Sequence, residues 1–159
     1  MNLEHIILST SYFVLGFSLK FLDWERLNKK KALVLGVLSG ALMGYRITSD
    51  SYSAAIFLAV IMGSLFSRKI DTRAFKAGAL TVALSIILTW NLNIHLTAVV
   101  FLSVLAFFDE YGNDWADKSL FKDRIVWFFK NRMLMKTGIL FSVLVFQFPT
   151  IYAIAFLLF

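Results

Sequence analysis

The chain contains no cysteine, a single proline and few charged residues. Without cysteine there is no disulfide, no thiolate nucleophile and no iron–sulfur or cysteine-based zinc site. Only 16% of the 159 residues are charged and 59% are hydrophobic, whereas soluble domains average roughly 25% charged residues. The sequence also lacks a Ser-His-Asp set, an HExxH pair, a phosphate-binding loop and a dinucleotide fingerprint. These absences weigh against classical hydrolase and nucleotide-dependent chemistry, and the composition favours a protein that resides in lipid.

Six apolar runs are separated by short polar connections. They cover approximately residues 5–22, 32–47, 51–67, 76–92, 94–108 and 137–159. Solid apolar runs predict membrane-spanning helices, because backbone groups in hydrocarbon must find their hydrogen bonds within the segment. Short connections make neighbouring helices antiparallel, and Pro149 predicts a kink in the last run. We predict an all-α polytopic membrane bundle of about six helices in up-and-down order, forming one domain over residues 1–159; five spans is the alternative.

Positive charge is concentrated in three clusters, which hold fifteen of the sixteen lysines and arginines. The clusters lie at 20–31, 68–76 and 118–136, and only Arg46 lies outside them. Loops rich in Lys and Arg stay in the cytoplasm. The pattern predicts a multi-pass protein of the cell membrane, with both termini on the non-cytoplasmic side and 109–136 as a cytoplasmic loop with an interfacial or re-entrant segment. Membrane lipids, not nucleic acid, are the expected partners of the net charge of +6.

Small residues recur every four positions in the second and third apolar runs. They are Gly36, Gly40 and Gly44 in the second run and Ala55, Ala59 and Gly63 in the third. Residues at this spacing share one helix face and let two backbones approach closely. We predict that the second and third helices form the tightest hairpin of the fold. Such glycine faces also suit a partner helix, in a homo-oligomer or in another membrane protein.

Carboxylates are densest where the fifth run ends. The polar residues of this segment are Asp109, Glu110, Asn113, Asp114 and Asp117. If the helix continues through the segment, the last four of them fall within an arc of roughly 100°. Mg²⁺ is typically held by one or two carboxylates, while phosphate oxygens and water complete its shell. The sequence predicts Mg²⁺ as a cofactor held by the four carboxylates, with Asn113 in a substrate-binding role.

Four further residues are candidates for binding substrate. Asp23 and Asp71 follow the first and third apolar runs, and Lys122 and Arg124 follow the acidic segment. Ionisable groups at the edge of an apolar run are costly unless paired, and the two cations are suited to phosphate oxygens. The alternative is that the acids pair with nearby lysines and arginines and merely end helices, and that the acidic segment is a solvated loop.

The run Asn113-Asp114-x-x-Asp117 resembles part of the aspartate-rich motif of membrane prenyltransferases. The resemblance covers five residues and implies a polyprenyl diphosphate held through Mg²⁺. Those enzymes carry a fuller motif and a second one, whereas Phe121 stands here where another aspartate would continue the first. Their activity is therefore not carried over to this chain.

Three functions are compatible with the sequence. The first is a Mg²⁺-assisted binder or enzyme of a phosphorylated lipid, of the prenyl or glycero class. The second is a small ion or solute transporter or channel, with Thr81, Ser85 and Thr89 lining a path along the fourth helix. The third is a structural or assembly subunit of a membrane complex. No ionisable residue lies at the centre of an apolar run, which weighs against coupled transport.

Overall fold

The computed structural model describes residues 3–22, 28–90, 92–119 and 123–159. Within these ranges the regular structure is entirely helical, and the all-α prediction is confirmed to that extent. The helices are α1 Leu3–Leu22, α2 Lys29–Ser49, α3 Ser51–Phe66, α4 Arg73–Thr89, α5 Leu96–Lys118, α6 Arg124–Lys130, α7 Met133–Val145 and α8 Thr150–Leu158.

Side-chain caps mark the start of three of these helices. The side chains of Asn28, Asp50 and Thr72 accept hydrogen bonds from the backbone amides of the residues three positions on. These bonds measure 3.2, 2.6 and 3.2 Å. A cap of this kind satisfies one of the amides that lack a partner in the first turn of a helix. Asp50 is also the only residue between α2 and α3, so the chain reverses direction there within a single connection.

The glycine face of α2 packs against α4, not against α3 as the sequence predicted. Gly36 lies against the backbone of Ala74, Gly40 against that of Gly78, and Gly44 against the Ser85 side chain. Helices α2 and α4 share the most extensive contact between two helices described here. The prediction of a tightest α2–α3 hairpin is therefore wrong. The physical reason is that α4 carries its own small residues at the same spacing, so two flat faces meet.

The small face of α3 packs against α5. Ala55 and Ala59 are fully buried, and Gly63 lies against Ala106 of α5. Around this contact the largest buried side chains come from several helices, including Tyr12 of α1 and Leu102 of α5. The main core thus draws buried side chains from α1 to α5, α7 and α8.

The predicted single helix over 137–159 is wrong, because the chain breaks after Val145. Gln147 has a positive φ of 55°, and Pro149 follows it directly before α8. Proline has no amide hydrogen to continue a helix, so the break is sharper than the kink that the sequence predicted. Helix α8 turns back into the bundle, where Phe159 packs against Phe57 and lies next to Gly16.

The predicted cytoplasmic loop 109–136 is also largely helical. Helix α5 extends to Lys118, so the acidic segment forms its last turns. The segment then continues as α6, and the Phe129 ring of α6 lies against Gly112 of α5. The short α6 therefore folds onto the end of α5, since the glycine leaves room for an aromatic ring.

Two helices of the described ranges, α2 and α5, are long and apolar enough to cross a membrane by length and composition. Two shorter helices, α3 and α7, are also apolar. Many large apolar side chains point away from the core, among them Leu88, Leu96 and Leu144. Extended apolar surface of this kind is typical of contact with lipid or with another protein.

Candidate functional site

A cavity of about 800 Å³ lies where the ends of α1, α3, α5 and α7 meet. We call this part of the molecule the basic end, because each of the three basic clusters contributes to the cavity: Lys20 from the first, Arg68 from the second and Lys136 from the third. In all, six basic and four acidic side chains line it. The other charged residues that line it are Lys69, Lys130, Arg132, Asp71, Asp109, Glu110 and Asp114.

Glu110 is the centre of an ion-pair network on the wall of this cavity. Its carboxylate is 2.7 Å from the Lys69 ammonium and 2.8 Å from Nη1 of Arg132. Nη2 of Arg132 donates a further bond of 3.2 Å to the same carboxylate, which makes the arginine contact two-pronged. Lys69 is also 2.9 Å from Asp114. Because the Glu110 side chain is only 9% exposed, these two cations replace much of the water that would otherwise solvate its carboxylate.

Asp109 is engaged by backbone rather than by cations. Its two carboxylate oxygens accept hydrogen bonds from the amides of Leu134 and Met135, at 3.3 and 3.0 Å. These amides belong to the first turn of α7, which has no capping side chain of its own at Arg132. A carboxylate at that position accepts hydrogen bonds from amides that lack a partner in the helix, and its negative charge interacts favourably with the positive end of the helix dipole. Asp109 thus fixes the start of α7 against α5.

Lys69 lies in the connection between α3 and α4 and is partly buried. Burial opposes its charge, but the hydrogen bonds and negative charges of Glu110 and Asp114 outweigh that effect and raise the pKa of the Lys69 ammonium above its ordinary value. The lysine is therefore held in its charged form at neutral pH. Its role in the described structure is to link the α3–α4 connection to the end of α5.

The structure brings together only part of the predicted site. Asp71, Asp109, Glu110 and Asp114 line the cavity, whereas Asn113, Asp117 and Arg124 do not. Asp117 is exposed and lies 4.0 Å from Lys130. Asp23 and Lys122 lie outside the described residues. Among the residues that are described, no group of three or more His, Cys, Asp or Glu side chains is arranged to hold a metal ion.

Sequence reasoning missed the cavity's basic residues and its apolar wall. Lys20, Arg68 and Lys136 line the cavity, and no ion pair within the described ranges involves them. The apolar wall includes Val60, Phe75, Phe156 and Phe159. The clustering of lysine and arginine was the available signal for the first group. The position of Phe156 and Phe159 follows from the reversal of α8, which the sequence did not predict.

The opposite end of the bundle contains a different polar cluster, which is closely packed. Arg46 of α2 is only 8% exposed, and its guanidinium donates to the Ser11 hydroxyl at 2.8 Å and to the Ile7 carbonyl at 2.9 Å. Nearby, the Tyr12 hydroxyl donates to the Ser53 hydroxyl at 3.0 Å. These bonds connect α1 to α2 and α3, so the cluster holds three helices together.

The hydroxyl stripe of α4 is occupied by its own helix. Thr81, Ser85 and Thr89 each donate to the carbonyl four residues earlier, at 2.8 to 2.9 Å. Each of these hydroxyls uses its hydrogen for a bond within its own helix, so it is not available as a donor to a solute. The packing that we observe therefore gives the transport hypothesis no support, although transport itself stays a prediction that can be tested.

Comparison of the chain with protein-family models, with curated proteins and with solved structures found no match. The interpretation of the cavity therefore depends on its own residues.

Proposed function

We propose that the chain is a multi-pass membrane protein that binds the phosphate headgroup of a lipid in the cavity at its basic end. The observation that carries this proposal is the composition of the cavity wall, which combines an excess of basic side chains with an apolar surface. A phosphorylated lipid has the same two-part character. The proposal concerns binding and assigns no reaction.

The basic side chains of the cavity differ in their availability. Glu110 and Asp114 engage Lys69 and Arg132, whereas no ion pair described here involves Arg68 or Lys136. A phosphate group can therefore be bound by the second pair without breaking the existing network. Charge-assisted bonds to phosphate are among the stronger contacts that a protein makes.

The proposal retains Mg²⁺, but with fewer carboxylates available to bind it than the sequence predicted. Asp109 is engaged by amides and Glu110 by two cations, so these carboxylates already have partners. Asp71 lines the cavity and takes part in no ion pair among the described residues, so it is the carboxylate best placed to share Mg²⁺ with a phosphate. Asp114 could join it by sharing its contact with Lys69. We expect Mg²⁺ to strengthen phosphate binding, and removal of Mg²⁺ with EDTA tests this part separately.

The membrane topology is part of the proposal. Helices α1 to α5 and α7 would be six crossings, and α8 would fold back from the far side toward the middle of the bundle. The contact of the Tyr52 ring with the rings of His95, Phe148 and Tyr152 supports this arrangement, because it joins the start of α3, the start of α5 and the α7–α8 turn at one end. Placement of the basic end in the cytoplasm follows from the distribution of Lys and Arg.

The cysteine-free sequence makes this topology easy to test. Single cysteines at Lys30 and Lys76 are expected to react with an impermeant thiol reagent only from the cytoplasmic side, and a cysteine at Thr48 only from the other side. Reaction of positions 30 and 76 from opposite sides would contradict the topology.

The binding proposal is tested by thermal unfolding of the purified protein with octyl phosphate, using octanol as the uncharged control. We expect octyl phosphate, but not octanol, to raise the unfolding temperature. In the double variant Arg68→Gln/Lys136→Gln we expect binding at least tenfold weaker, since a hydrogen bond to a charged group contributes about 1.5–3 kcal/mol. The matched control is Lys29→Gln/Lys76→Gln, which removes two exposed cations outside the cavity. Equal weakening in both double variants would contradict the proposed site.

The structural-subunit hypothesis has less support from the packing. Gly36, Gly40 and Gly63 are in contact with α4 or α5 of the same chain. These glycines are therefore not available as a docking surface unless the bundle opens.

A further inference from the structure

A second, narrower cleft joins the cavity at the basic end. Its volume is about 60 Å³, and it lies between α2, α3 and α4. The residues that line both spaces are Leu19, Val60, Ser64 and Phe75. A molecule bound in the charged cavity can therefore extend into the cleft across this shared junction.

Beyond the junction the cleft is almost purely apolar. Met43, Ile61 and Val82 contribute hydrocarbon surface. The one polar side chain of α2 that lines it, Ser39, donates its hydroxyl hydrogen to the backbone carbonyls of its own helix at 2.8 and 3.1 Å. A polar ligand group would lose its water here without gaining a partner. A hydrocarbon chain has no such cost.

The cleft also has the direction that a lipid chain needs. Its lining on α4 runs from Phe75 to Val82, which is about 10 Å along a helix at 1.5 Å per residue. The cleft thus runs along the helices rather than across them. Gly40 and Gly78, whose backbones touch, line its middle and carry no side chain that would fill it.

We propose that this cleft holds the first part of the hydrocarbon chain of the lipid whose phosphate occupies the cavity. This inference rests on the proposed function and adds a chain-binding subsite to it. A water-sized group needs roughly 10–15 Å³ of such volume, so the cleft has room for about four to six carbons. The remainder of a longer chain would leave the cleft and contact the bilayer.

The experiment compares linear monoalkyl phosphates of two to eight carbons, with inorganic phosphate as the headgroup alone. Affinities for the full chain in neutral detergent are measured from thermal unfolding, and the matching alcohols control for partition into detergent. Wild-type affinity is expected to rise by about fourfold per carbon up to about six carbons and then to level off, as expected for burial of successive methylene groups.

Two variants of α4 separate the cleft from the outer surface of the same helix. Ala79 lines the cleft, and Ala83 is exposed. In Ala79→Phe, where the new ring fills the cleft, we expect the dependence on chain length to disappear while the affinity for inorganic phosphate is unchanged. Ala83→Phe is expected to match the wild type.

The outcomes distinguish this inference from the proposed function. If neither inorganic phosphate nor any alkyl phosphate stabilises the wild type, the proposed function fails and the chain subsite fails with it. If phosphates bind but wild-type affinity does not rise with chain length, the subsite is overturned and the proposed function stands. An equal rise in Ala79→Phe overturns the subsite as well. The wild-type series decides the matter even if Ala79→Phe does not fold.

Discussion

The two ends of the bundle hold their buried charges in different ways. At the basic end Glu110 is paired with two cations beside a cavity of about 800 Å³. At the opposite end Arg46 has neutral hydrogen-bond partners, the Ser11 hydroxyl and the Ile7 carbonyl, which both belong to the neighbouring helix α1. The comparison indicates that polar contacts join helices at both ends, and that at the basic end charged groups also lie beside an open space.

The largest loss in the free energy of unfolding is expected when the charge of Glu110 is removed. In Glu110→Gln the cations Lys69 and Arg132 lose their shared partner, and breaking a buried pair from one side typically costs about 3–5 kcal/mol. Arg132 is half exposed, so we expect a smaller loss of about 2–3 kcal/mol in the free energy of unfolding. Denaturant unfolding in detergent measures it.

The control for this variant is Asp117→Asn at the same end. Asp117 is 61% exposed, and its partner Lys130 is 4.0 Å away. Exposed pairs contribute about 0–1 kcal/mol, so little change is expected. Comparable losses in Glu110→Gln and Asp117→Asn would show that burial of the network does not matter.

A smaller effect is expected at the opposite end. In Arg46→Met the Ser11 hydroxyl loses a donor but keeps its own bond to the Leu8 carbonyl, and no ion pair among the described residues is broken. The methionine also retains much of the apolar contact of the arginine stem. We expect a loss of about 1 kcal/mol, measured in the same way. A loss larger than that of Glu110→Gln would reverse the comparison between the two ends.

The smallest effect concerns pH. Because the folded-state pKa of Lys69 is raised, its stabilising contribution is complete below the ordinary lysine pKa and is lost as the pH rises through the folded value. We expect the unfolding temperature of the wild type to fall in that alkaline range. In Lys69→Met part of this fall should be absent, whereas in the exposed-lysine variant Lys76→Met the fall should be complete. Identical curves for wild type and Lys69→Met would contradict the assignment.

The sequence predicted the local features of this fold better than the pairing of its parts. Helices and their approximate positions follow from the apolar runs, and the convergence of Lys20, Arg68 and Lys136 agrees with the three basic clusters. The partner of the α2 glycine face could not be predicted, because a flat helix face fits any other flat face. The match with Ala74 and Gly78 became evident only from the packing.

At the site, too, local features could be predicted from the sequence but contacts between distant residues could not. Acidic residues at the end of α5 were identified from the sequence, but their partners were not. Glu110 meets Lys69 and Arg132 from distant parts of the chain, and Asp109 meets the first turn of α7. Neither contact leaves a local sequence signal. Pro149 predicted a disturbance of the last helix, but the direction in which α8 reverses depends on the core that receives it.

Native mass spectrometry of the protein released from its own membrane tests the central claim, that the cavity at the basic end holds a lipid phosphate. We predict that the wild type and Lys29→Gln/Lys76→Gln carry a bound lipid whose fragments contain phosphate, and that Arg68→Gln/Lys136→Gln has lost most of it. Equal retention by all three proteins, or a bound lipid without phosphate, would contradict the account.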